Sequence, residues 1–82
     1  MRENAGYKII TALLVGKADK RMEELVIGYN PNAADPWVCW YCYDGTDYCH
    51  GDYCKTSRQA LAALSERVKR NLTFYDFGNL EG

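Results

Sequence analysis

No stretch of this chain is apolar for long enough to cross a membrane. The longest, residues 9–15, is interrupted by Thr11, whereas a spanning helix needs about 20 apolar residues. A convincing export signal is also missing, because Arg2 is offset by Glu3 and no small-residue cleavage site follows the apolar run. A cytoplasmic protein with reduced thiols is therefore expected, whose four cysteines need no disulfide framework. An excess of charge is lacking too. Ten Lys plus Arg stand against eleven Asp plus Glu, so no long-range field draws the whole molecule to nucleic acid or to an anionic membrane. With one histidine and no glycine-rich phosphate loop, the chain offers little from which to build an enzyme. Its 82 residues make a single domain, near the size at which one core leaves only a few kcal/mol of net stability.

What is present is concentrated. All four cysteines, both tryptophans and the only histidine fall within residues 36–54. Around that segment the chain reads as an α+β domain. Residues 7–15 are rich in β-branched and apolar side chains and predict a strand, residues 16–20 a turn, and residues 24–29 a second strand stopped by Asn30-Pro31 and Asp35-Pro36. Residues 37–43 and 48–54 flank Asp44-Gly45, a strong hairpin signal. From about 57 to 71 a helix is expected, with Thr56 and Gln59 as capping box. Leu61, Leu64, Val68 and Leu72 recur along its apolar stripe, and Glu66, Arg67, Lys69 and Arg70 lie on the solvated face. The expectation is a four-stranded antiparallel meander, ββββα, with the helix on one face of the sheet. The ends, 1–6 and 78–82, read as loose, and the aromatics of residues 73–77 as a docking tail.

Strand alternation divides the hairpin. Pairing Tyr43 with Tyr48 sets Val38, Trp40, Cys42, Cys49, Gly51 and Tyr53 on one face, beneath the helix, with Trp40 across Gly51. The other face, with Trp37, Cys39, Tyr41, Tyr43, Tyr48, His50, Asp52 and Cys54, is then uncovered. Tyrosine and tryptophan dominate interface hot spots, which makes Trp37, Tyr41, Tyr43, Tyr48, His50 and Asp52 the candidate surface for a protein partner or a second copy. Nucleic acid is disfavoured because no Lys or Arg occurs between Asp35 and Cys54. The alternative is a zinc-stabilised module using Cys39, Cys42, Cys49, His50 and Cys54. Against it, Cys42 and Cys49 leave the sheet opposite to Cys39 and Cys54, and their spacing is not that of paired knuckles. A thiol nucleophile, Cys39 or Cys54 beside His50, is the one catalytic arrangement the segment could offer, and no orienting group other than Asp52 accompanies it. The expectation is a non-enzymatic protein without a cofactor.

Several short motifs carry a resemblance: residues 26–31 (Val-Ile-Gly-Tyr-Asn-Pro), 36–40 (Pro-Trp-Val-Cys-Trp), 48–53 (Tyr-Cys-His-Gly-Asp-Tyr) and the helix from 60 to 67. Together they resemble small proteins carried by phages and conjugative elements of gut Firmicutes, over roughly half the chain. In that pattern threonine or an aromatic residue stands where this chain has Cys39, Cys49 and Cys54, so the resemblance does not call for a cysteine cluster. It implies an accessory protein of a mobile element, of a kind that can act by inhibiting a host defence protein, and it supplies no catalytic residues.

Overall fold

Asp44 and Gly45 both take positive φ, 54° and 75°, and the Thr46 N–H donates to the Tyr43 carbonyl at 3.2 Å. That is the local geometry of a primed turn, for which Asp-Gly is the favoured pair. In the computed structural model, which describes residues 2–18 and 20–74, this turn joins two strands of a five-stranded antiparallel sheet with the order β1-β2-β3-β4-β5. The strands are β1 (Glu3–Asn4), β2 (Tyr7–Ala18), β3 (Arg21–Tyr29), β4 (Trp37–Tyr43) and β5 (Asp47–Cys54), followed by one helix, α1 (Ser57–Phe74). The α+β class, the meander and the C-terminal helix are as expected, and the strand count is not. Residues read as a loose N-terminus contain β1, which pairs Glu3 with Lys8 and Asn4 with Tyr7 through a turn at Ala5 and Gly6, both of positive φ. Of the expected tail at 73–77, residues 73 and 74 instead continue α1, while 75–77 and the expected loose end at 78–82 lie outside the described residues.

Two signals act as read. The Thr56 hydroxyl accepts from the Gln59 N–H at 3.2 Å, while Gln59 Oε1 accepts from the N–H groups of Lys55 and Thr56 at 2.9 and 3.3 Å, a reciprocal capping box. Asn30 closes the 30–36 loop. Its N–H donates to the Pro36 carbonyl at 2.8 Å and its side chain accepts from the Asn32 N–H at 2.9 Å.

The faces differ from expectation. Tyr43 pairs with Asp47, not Tyr48, so the loop is one residue shorter than the four read from the sequence, and a one-residue change of register turns side chains to the other face. Tyr48 thereby joins Cys42, and Cys49 joins Tyr41. Further along, His50 and Gly51 together oppose Trp40 in a β-bulge, with His50 at φ 55°. The extra residue restores the original phase, so Tyr53 pairs with Val38 and Cys54 with Trp37.

The helix packs on β3, β4 and β5, over the face that carries Leu25, Ile27, Cys39 and Tyr41. Its buried stripe is Ala60 and Arg67 with Ala63, Leu64, Val68 and Asn71 half-buried, while Leu61 is exposed. Arg67 thus moves from the expected solvated face to the core, and Leu61 the other way. The opposite, helix-free face holds its own cluster, Tyr7, Val26, Val38, Trp40 and Cys42, with Ile9, Ala33 and Tyr48 packed against it. The expectation that Trp40 and Cys42 sit under the helix is therefore overturned. Val26 and Trp40 pair on one face and Leu25 and Tyr41 on the other, and α1 takes the second, where its Arg67 meets Asp52 and the Tyr41 ring.

Candidate functional site

On the helix side, chemistry gathers around Arg67. Its side chain is only 5% exposed, its Nη2 donates to Asp52 Oδ2 at 2.8 Å and to the His50 carbonyl, and its guanidinium carbon lies 4.7 Å from the Tyr41 ring centre. Nε and Nη1 are buried without a hydrogen-bond partner among the described residues. A planar guanidinium laid on an aromatic face loses less by this than a lysine would, because the ring's negative face offsets part of the lost hydration. Beside it, burial pushes the Cys39 thiol up to about 11 despite the opposite pull of Arg67. Burial also raises Cys42, Cys49 and Cys54 above the ordinary thiol range. None of the four is poised as a thiolate nucleophile near neutral pH.

The residues read as partner-binding are divided by the fold. Tyr41 lies under Arg67 and Asp52 pairs with it. Trp37 is half-buried against Tyr29, ring centres 4.4 Å apart. Tyr43 lies beneath Arg21, whose guanidinium carbon is 5.0 Å from the ring centre and which also pairs with Asp44 and Asp47. His50 is exposed at the bulge, 6.2 Å from the Tyr41 ring. Tyr48 alone of the set stands on the helix-free face, where it accepts from Arg2 Nε at 3.2 Å. The expected uncovered aromatic face of Trp37, Tyr41 and Tyr43 is the one that α1 and its arginine cover.

The five residues read as a zinc set are not brought together either. Cys42 is on the opposite face from Cys39, Cys49 and Cys54, and among the described residues no group of three or more His, Cys, Asp or Glu is placed to hold a metal.

The helix-free face is the aromatic surface. Trp40, 3% exposed, lies at its centre with Tyr7, Tyr48 and Tyr53 edge-on around it at ring distances of 5.5, 5.7 and 6.1 Å. The indole rests on two glycines. A Cβ at Gly51 would stand 2.7 Å from Trp40 Nε1, and one at Gly28 3.0 Å from Trp40 Cζ3 and from Val38 Cγ1. Toward the other end, Arg2 grips Glu24 with two bonds of 2.9 and 3.2 Å, lies near the Tyr48 ring and reaches Cys42 Sγ at 3.3 Å. Next to this pair an open depression of about 570 Å³ is lined by Arg2, Leu14, Met22, Glu24, Asp44 and Gly45. Leu14 is 57% exposed, Tyr53 52% and Met22 38%. No described element covers them.

Arg67, Arg2, Tyr7 and Tyr53 were missed as site-forming residues by sequence reasoning. Arg67 had a signal: it follows Ala60 by two helical turns and so falls on the same face. Arg2 had none, since its partners Glu24, Cys42 and Tyr48 come from three different strands. Compared with known proteins, the chain matches no family model, no curated protein and no solved structure. Among the described residues no helix is long and apolar enough to cross a membrane.

Proposed function

We propose that this chain is a small non-enzymatic module that binds a protein through the helix-free face of its sheet. The observation that carries the reading is the exposure of Leu14, Met22 and Tyr53 on the face that holds the Trp40 cluster and that no described element covers. Large apolar side chains left exposed on one sheet face of a small domain mark interaction sites, and tyrosines that combine ring area with a polar tip suit a protein interface. The depression beside Leu14 and Met22 carries Glu24 against Arg2 and Asp44 against Arg21, a charge-balanced rim. Its complement is an apolar segment. The lack of basic residues along the hairpin argues against nucleic acid. Four thiols raised by burial, and a histidine on an exposed bulge, favour a binding role over catalysis. On the resemblance to small proteins of phages and conjugative elements, the partner proposed is a host protein, defence proteins included, and the cell interior is the compartment.

Affinity capture from host lysate with the wild-type chain and with a Leu14→Asp/Tyr53→Ser variant tests this. Partners held by the wild type should be lost by the variant, whose near-ultraviolet signal from Trp40 persists. Equal capture by both would contradict the assignment of this face.

A further inference from the structure

One polar atom at the centre of the aromatic face has no partner. Trp40 is 3% exposed and its indole N–H meets no acceptor among the described residues, yet this nitrogen is not sealed from solvent as Arg67 Nε and Nη1 are. It lies over the exposed Gly51, where a Cβ would stand 2.7 Å from Trp40 Nε1 and 2.8 Å from Tyr53 Cε2. The missing side chain keeps the way to the N–H clear. Tyr48 and Tyr53, on the same strand as that glycine, stand edge-on to the indole. They pair with Cys42 and Val38, four positions apart on β4, which sets them about 13 Å from one another, one on either side of the Trp40 position. Tyr53 is half exposed and Tyr48 half-buried. The row holds no free charge, because Arg2, which touches its Tyr48 end, is bound to Glu24.

We infer that this row binds a proline-rich segment of the partner in the polyproline II conformation, one of whose backbone carbonyls accepts from Trp40 Nε1. The inference rests on the reading of this face as a protein-binding surface and names what the partner brings to it. A helix or a paired strand uses its carbonyls within its own ladder, whereas a polyproline II segment makes no internal hydrogen bonds and presents them outward. The donor stands on an interior strand, on the face of the sheet, so a strand added at an edge does not reach it. Proline also brings no N–H. That suits walls made of rings, against which a peptide N–H finds little to donate to and is costly to bury. Flat pyrrolidine rings pack on tyrosine and tryptophan as they do in other aromatic-lined grooves. At about 3.1 Å per residue, roughly four residues of such a segment span the two tyrosines. An uncharged segment is also the complement of a row without free charge.

Proton–nitrogen NMR of the full chain tests this, since Trp37 and Trp40 give separate indole N–H signals. A blocked peptide of about ten prolines should move the Trp40 signal saturably and leave that of Trp37, on the helix side, in place. A glycine–serine peptide of equal length should move neither. In variants, binding is followed by the backbone amides of β5. Tyr53→Ser is expected to raise the dissociation constant at least about fivefold, and Trp40→Phe, which removes the N–H and keeps a ring, at least about tenfold. Should Trp40→Phe fail to fold, Tyr53→Ser decides. No saturable shift of Trp40, an equal response to the glycine–serine peptide, or a folded Tyr53→Ser variant that binds as tightly as the wild type would each overturn the inference. The broader reading fails separately. Capture from lysate lost in Leu14→Asp/Tyr53→Ser, with no response to the proline peptide, overturns this inference alone; a Trp40 response with capture unaffected by that variant upholds it and overturns the broader reading.

Discussion

Arg67 is the residue on which the helix side depends. Its charge is buried, its carboxylate partner among the described residues is the half-exposed Asp52, and the Tyr41 ring lies under it. Removing Asp52 leaves that charge with a single carbonyl, so Asp52→Ala should cost about 1–3 kcal/mol in urea denaturation. Arg67→Met, which removes the charge and keeps the bulk, should cost less than Arg67→Lys, which keeps the charge and loses the planar stack. Cys39 makes a separate prediction. Its thiol is raised from 9.0 to about 11 by burial, so the folded state holds the proton more tightly than the unfolded chain. The stability this contributes is complete below pH 9.0 and is lost as pH rises toward about 11. Denaturation followed across that window should show a falling limb that Cys39→Ala flattens. On the other face, Gly28 is enclosed by Trp40, Val38 and Tyr7 at 3.0–3.1 Å from where a Cβ would stand. Gly28→Ala should cost about 1–3 kcal/mol and shift the Trp40 fluorescence, because three packed neighbours must yield together.

At the scale of elements, local chemistry was legible and phase was not. The Asp-Gly turn, the Asn30-Pro31 stop and the Thr56/Gln59 box each depend on residues within a few positions, and each formed where it was read. Trp40 over Gly51 was legible too, since a bulky ring opposite a glycine is a local steric match. The hairpin's faces were not. A loop one residue shorter than read turned Tyr48 and Cys49 over, and the bulge at His50 and Gly51 then turned the chain back. Neither step leaves a mark in the alternation itself. Which face the helix would choose depended on how it sits against β3 and β4, and on Arg67 finding Asp52, a partner 15 positions away. The short β1 was hidden for the same reason: it is held by Arg2 contacts to Glu24, Cys42 and Tyr48, whose proximity exists only after folding. The capping box gives this scale its prediction. Thr56→Ala should lower stability by about 1 kcal/mol without changing the slope of urea unfolding.

For the whole molecule, the distribution of apolar surface decides what the chain can meet. The helix and its arginine cover one face, and β5 has a guarded edge. What stays open is the helix-free face around Trp40. The account's central claim is that the partner meets the helix-free face. Hydroxyl-radical footprinting of the chain alone and bound to a captured partner tests it most directly. The account predicts protection of Leu14, Met22 and Tyr53 on binding, with Trp37 and Tyr43 unchanged; protection of Trp37, Tyr43 and His50 with Tyr53 still reactive would contradict it.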